Sequence, residues 1–214
     1  QFYSSIFFLF RKVLDKITYK IIFDVGRTNI GTVYKVDAEK SEDARLIAFL
    51  KKAQIDYKTS LVKISMGLIG MNTYGVQEKN WGYRFIEKSA IDLYKYSSTA
   101  DIGIGIARSI VDNLSMNLQI VNGEGYKQSQ LDKHHKISLN TTYGENKLNK
   151  KDGYNIGVVY STETTESKPT NMISAFTGFS GLGIRVGAEY DLLTKNDVKS
   201  NIISVSANYG LKEN

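Results

Sequence analysis

Cysteine is absent from this 214-residue chain, and proline occurs only once. Without cysteine the protein can form neither disulfide bonds nor a thiolate metal site. Long hydrophobic runs are also missing, because the longest, residues 6–10, is far shorter than the ~20 residues of a transmembrane helix. These absences leave a soluble domain or a membrane protein that crosses the bilayer with β-strands.

The charge balance is mildly basic, with 28 Lys and Arg against 22 Asp and Glu and a formal net charge of +6. Such an excess favours anions only weakly, and no surface of interleaved basic and aromatic residues indicates nucleic-acid binding. Hydrophobic residues make up 42% of the chain, too many for a disordered segment. The sequence begins at Gln1 without the features of an export signal, so we expect any such signal to have been removed or to lie outside this sequence.

Apolar and polar residues alternate along most of the chain, the pattern of β-strands with one apolar face. The clearest window is residues 101–108, where Ile102, Ile104 and Ile106 alternate with glycine and alanine. The same alternation recurs in the windows 17–25, 62–68, 114–120, 136–143, 154–161, 184–191 and 203–209, and more weakly in 2–11, 44–57 and 172–180. Together these windows predict about eleven strands of roughly 9–11 residues, long enough to cross a bilayer when tilted.

The polar face and the connections separate two interpretations of this alternation. A soluble β-sandwich with a solvated exterior fits alternation alone equally well. However, the strands are long, several apolar rows end in tyrosine, and short turns alternate with long connections at 27–43, 71–99 and 123–134, as in outer-membrane barrels. A face that carries Lys63, Arg185 and Glu189 also needs water rather than a dry interior.

The sequence therefore predicts an all-β fold, an antiparallel transmembrane β-barrel that forms one domain over residues 1–214. Because bacterial barrels usually have an even number of strands, we expect the chain to be incomplete at both ends and to belong to a larger, even-stranded barrel. The residues expected to face lipid are Ile102, Ile104, Ile106, Leu118, Val158 and Val186. The residues expected to line a pore and set its selectivity are Arg84, Lys88, Lys95, Arg108, Arg185 and Glu189.

The connection 71–99 is too long for a hairpin turn and is rich in charged and aromatic residues. Ile86, Ala90 and Leu93 lie at helical spacing, which predicts a short helical turn over 85–93. Folded into the lumen, the loop would form a constriction in which Arg84 and Lys88 attract anions. Alternatively, it forms an outer cap or a contact between protomers. Trp81 and Phe85 would anchor its packing in either case.

Four segments carry a family resemblance: residues 67–71 (GLIGM), 76–88 (VQEKNWGYRFIEK), 100–105 (ADIGIG) and 121–126 (VNGEGY). With these segments, the chain from about residue 17 onward resembles the phosphate-selective porin O and P-like family and related bacterial porins. The resemblance implies an exported channel of the bacterial outer membrane that forms a homo-oligomer such as a trimer. It also implies family members longer than this chain.

From these features we expect a porin, a water-filled channel for passive diffusion of small hydrophilic solutes with a weak preference for anions, working without a cofactor. The alternative is a structural or adhesive outer-membrane barrel with a plugged pore. A barrel hydrolase is a weaker third hypothesis, because the only histidines, His134 and His135, lie side by side next to a loop, with no nucleophile placed by pattern. No ligand spacing indicates a metal site.

Overall fold

The computed structural model describes residues 4–26, 32–34, 40–42, 47–128, 133–164 and 168–210. Two short helices, α1 (Gln77–Trp81) and α2 (Ala90–Leu93), lie in the 71–99 segment, and among the described residues no helix is long and apolar enough to cross a membrane. The strands are β1 (Ser4–Leu14), β2 (Ile17–Gly26), β3 (Thr32–Tyr34), β4 (Lys40–Glu42), β5 (Ile47–Lys58), β6 (Lys63–Gly70), β7 (Ala100–Val111), β8 (Leu114–Val121), β9 (Lys136–Gly144), β10 (Gly153–Glu163), β11 (Thr170–Gly181), β12 (Ile184–Lys195) and β13 (Val198–Tyr209).

The main strands form one antiparallel sheet in the order β1-β2-β5-β6-β7-β8-β9-β10-β11-β12-β13, while β3 and β4 pair separately. The prediction of an all-β, antiparallel fold is therefore confirmed. Strands β1 and β13 lie at the two ends of the sheet, and among the described residues no pairing joins them. The sheet is thus open, and closure into a larger barrel stays a prediction.

Because neighbouring strands are consecutive and antiparallel, successive connections alternate between the two ends of the strands. At one end they span residues 15–16, 59–62, 112–113, 145–152 and 182–183; at the other they span 27–46, 71–99, 122–135, 164–169 and 196–197. Leu182 with Gly183, and Asn196 with Asp197, all have positive φ, the geometry of tight hairpin turns. The three longest connections, 27–46, 71–99 and 122–135, all lie at the second end.

The two faces of the sheet are inverted relative to a soluble protein. Strands β7 to β13 expose their apolar rows, whereas the opposite rows are buried in β9 to β11 and mostly half-buried in β12 and the second half of β13. In β10, Ile156 and Val158 are 58% and 50% exposed while Asn155 is 1% exposed. All six residues expected to face lipid are exposed, at 37–56%. Cross-strand register joins them into a continuous band, for instance Met66 beside Ile104 beside Ile120.

The polar face is covered because the 71–99 segment folds onto it. Its apolar residues Tyr74, Val76 and Ile91 form a buried cluster with Val159, Met172 and Phe176 of β10 and β11. These two strands are therefore apolar on both faces locally. This explains why residues 172–180 show a less regular alternation than the other strands.

Candidate functional site

The 71–99 segment begins at an anchor on β8 and β9. The backbone N–H of Asn72 donates to Gln119 Oε1 at 2.9 Å, and its side-chain amide donates to the Asn117 carbonyl at 2.6 Å. In return, Ser138 Oγ donates to Asn72 Oδ1 at 2.7 Å and Asn140 Nδ2 donates to the Asn72 carbonyl at 2.9 Å. The segment therefore leaves β6 by turning onto the polar face.

Helix α1, which the sequence pattern does not predict, lies across β10 to β12. Asn80 and Asn155 exchange side-chain amide hydrogen bonds of 2.9 and 2.8 Å, and both residues are at least 97% buried. Gly178 and Gly187, directly paired in the sheet, form the floor beneath Asn80. The absence of side chains there is what allows α1 to approach the strands closely.

Arg84 occupies an ion-pair network rather than a free position. Its guanidinium contacts the carboxylate of Glu78 and lies 2.8 Å from Asp92, which is also 3.7 Å from Lys88 Nζ. Burial would lower the pKa of Arg84, but the two carboxylates outweigh it and raise the pKa above its usual range. The expectation that Arg84 and Lys88 present free positive charge therefore needs correction, because Asp92 and Glu78 neutralise much of it locally.

The other predicted pore residues lie in different environments. Arg185 lies on the polar face, donates to the Trp81 carbonyl at 3.2 Å and has its guanidinium 5.1 Å from the Tyr83 ring centroid. Glu189, on the same face, lines a smaller cavity together with Ala90 and Ser204. Lys95 is exposed just after α2 with a φ of 60°.

Arg108 is placed differently from the prediction. Register pairs it with Met116, and it shares the strand face of Ile106 near the turn end of β7. Its strand position therefore belongs to the exposed face, since residues two apart on a strand share a face. Arg108 is nevertheless among the residues that line the basic cavity described below, so its role in selectivity stays a prediction.

Phe85 also departs from expectation, because its side chain is 82% exposed and so does not anchor the loop. Trp81 does so in part, since its Nε1 donates to the Glu87 carbonyl at 2.9 Å. The predicted helical turn at 85–93 is reduced to α2, in which Ala90 is buried while Leu93 is 41% exposed.

A basic cavity of about 560 Å³ lies between the 71–79 part of the segment and the short-turn end of the sheet. Its lining includes Lys58, Lys63, Lys79 and Lys147, together with asparagine and serine residues, and Arg108 borders it. Burial, with the nearby charge of Lys147, lowers the pKa of Lys79 below its ordinary value. The sequence pattern does not predict this cluster of lysines, because Lys147 lies in a turn and resembles a solvated charge. Lys63, on the polar row of β6, is the one signal in the sequence that points to it.

The turn at 122–125, part of the resemblance described above, is held by one carboxylate. Asp101 Oδ2 accepts the backbone N–H groups of Gly123 and Gly125 at 2.7 and 3.2 Å, and Oδ1 accepts the Ile102 N–H at 2.8 Å. Asp101 is 2% exposed. This arrangement fixes the end of β8 against the start of β7.

We expect Asp101→Ala to lower the free energy of unfolding by about 3 kcal/mol, because hydrogen bonds to a buried charge contribute roughly 1.5–3 kcal/mol each. Urea unfolding in detergent micelles measures this. Asp112→Ala, in the exposed turn between β7 and β8, is the matched control and should change stability by less than about 0.5 kcal/mol. Equal stabilities for the two variants would contradict the anchoring role.

Within the described ranges, no group of three or more His, Cys, Asp or Glu residues could hold a metal ion. The site thus consists of the 71–99 segment on the polar face with the basic cavity at one end. No model of a known protein family matches the chain, and a comparison with curated proteins finds no similar sequence.

Proposed function

We propose that this protein is part of an outer-membrane channel for passive diffusion of small hydrophilic solutes. The observation that carries the proposal is the inversion of the two faces over β7 to β13: apolar rows exposed, polar rows turned toward the 71–99 segment. In water an exposed band of isoleucine, valine and tyrosine on this scale is unfavourable, whereas lipid accommodates it. The covered polar face then borders the lumen.

In this proposal the 71–99 segment narrows the lumen. Contacts from Asn72 to β9, from Gln77 to Ser174 of β11 and from Trp81 to Arg185 of β12 show that the segment spans much of the polar face. An anion preference follows from the basic cavity rather than from Arg84 and Lys88. The family resemblance also supports the outer-membrane location, and a homo-oligomer is proposed on that resemblance alone.

The experiment is reconstitution of the full-length protein into planar lipid bilayers. We expect stepwise current increments and, in a salt gradient, a reversal potential shifted toward the equilibrium potential of the anion. The same segment could instead plug the lumen, because its contacts with β8 to β12 are extensive. Membrane insertion without current steps would reject the channel in favour of a plugged structural barrel.

A further inference from the structure

A second cavity, of about 330 Å³, lies on the opposite side of α1 from the basic cavity, between the 71–99 segment and strands β11 to β13. Its volume is within the range of pockets that hold small organic molecules. Trp81 lines it together with the polar side chains of Gln77, Lys88, Glu189, Ser204 and Ser206. One aromatic residue and several hydrogen-bonding side chains therefore meet in one pocket.

Two oxygen atoms of residues that line this pocket accept no hydrogen bond from the described part of the protein. Among the described residues, Gln77 Oε1 and Glu189 Oε2 are buried and have no hydrogen-bond partner. Gln77 is 5% exposed, and its Nε2 is already used on the Thr73 carbonyl and Ser174 Oγ. A buried acceptor without a donor is unfavourable, so these oxygens favour a ligand that brings O–H or N–H groups.

The charges around the pocket disfavour ions of either sign. Glu87 and Glu189 oppose an anion, while Lys88, which also lines the pocket, opposes a cation despite its 3.7 Å contact with Asp92. An ammonium group would lie against the like charge of Lys88. Because it can only donate hydrogen bonds, it also could not accept one from this lysine. Hydroxyl groups donate and accept, and they suit both the carboxylates and the lysine.

Three aromatic side chains of the 71–99 segment form a row that begins at Trp81 in the pocket. Trp81 and Tyr83 are edge to face at 5.6 Å between ring centroids, and Tyr83 and Phe85 are edge to face at 5.7 Å. Arg185 lies over Tyr83, which holds the middle ring in place. Phe85 at the end is 82% exposed, so an apolar ring face is presented to water on the same segment that borders the polar lumen.

We propose that this pocket binds a neutral pyranose sugar, whose C–H face packs on Trp81 and whose hydroxyls bond to Gln77 and Glu189. Phe85 and Tyr83 offer further ring faces along the approach. Aromatic rings provide large apolar area and fixed geometry for such packing. Binding of a sugar goes beyond passive diffusion. It depends on the proposed channel only because the channel would be the route by which the sugar reaches the pocket.

Trp81 is the single tryptophan of the chain, so its fluorescence reports on this pocket alone. Titration of the purified full chain in detergent micelles with methyl α-glucopyranoside should give a saturable change in emission. Gln77→Ser, which removes one of the two unpaired acceptor oxygens of the pocket, should raise the apparent Kd about fivefold, as expected for loss of one hydrogen bond. Glu189→Gln should raise it as well.

Tyr94→Ser is the matched control, because Tyr94 is an exposed aromatic residue of the same segment that does not line the pocket. It should leave the Kd unchanged, and circular dichroism of both serine variants should match the parent. Saturable binding of ethanolammonium, calcium chloride or inorganic phosphate in place of the sugar would overturn the proposal, as would an unchanged emission with sugar. Because emission does not depend on current, a chain that binds sugar but conducts no ions would reject the channel and retain the sugar site.

Discussion

Replacing Lys79 and Lys147 together by serine is expected to shift the reversal potential in a salt gradient toward cations. Both side chains line the basic cavity, and the charge of Lys147 contributes to lowering the pKa of Lys79. At ~8 Å in water one charge interacts with an ion by about 0.5 kcal/mol. Removing two such charges weakens the attraction of an anion by about 1 kcal/mol and relieves the repulsion of a cation by the same amount, so the anion-to-cation permeability ratio should fall roughly thirtyfold.

Arg84→Ser with Lys88→Ser is the matched pair, since it removes the same net charge, here from two residues of the 71–99 segment. The shift is expected to be smaller, because Arg84 and Lys88 contact the carboxylates of Glu78 and Asp92. A larger shift from the Arg84 and Lys88 pair would show that these two residues, as the sequence predicts, set the selectivity. Equal shifts would show that net charge alone decides.

The lowered pKa of Lys79 adds a pH dependence to this prediction. A lysine whose pKa lies below the ordinary value loses its proton at a lower pH than a solvated lysine does. The anion preference of the parent channel should therefore decline as the pH rises through the alkaline range, and Lys79→Ser should flatten that decline. Reversal potentials measured at increasing pH test both points.

The sequence pattern predicts the strands well, because in a sheet with one apolar face every second residue reports its environment directly. Ile102 and Val158 are exposed, as their position in the alternation requires. The pattern could not predict α1, which is five residues long and is held by contacts such as that between Asn80 and Asn155 rather than by its own amphipathicity. Short helices of this kind depend on tertiary packing.

Individual site residues were harder to predict than the fold, since charge partners far apart in sequence decide their roles. Arg84 has the sequence signature of a pore charge, yet Glu78 and Asp92 neutralise it. Lys147 has the signature of a solvated turn residue, yet the 145–152 connection places it at the basic cavity beside Lys79. Both outcomes depend on how the 71–99 segment lies on the sheet, which alternation does not encode.

Replacing Gly178 by valine is expected to displace α1 and raise the single-channel conductance while the sheet stays folded. A Cβ at Gly178 would lie 2.6 Å from Asn80 Nδ2 and 2.8 Å from Leu148 Cδ1. Overpacking of this kind costs about 1–3 kcal/mol. Displacement of α1 relieves this steric overlap, but it breaks the hydrogen bonds between Asn80 and Asn155.

Ala175→Val is the matched control, because Ala175 lies on the same strand but points to the exposed face, where added methyl groups meet no neighbour from the segment. Its conductance should equal that of the parent. Asn80→Ala, which removes the same attachment without touching the strand, should raise the conductance in the same direction, and adding it to Gly178→Val should give little further increase. Unchanged conductance in both Gly178→Val and Asn80→Ala would show that the 71–99 segment does not narrow the path of ions.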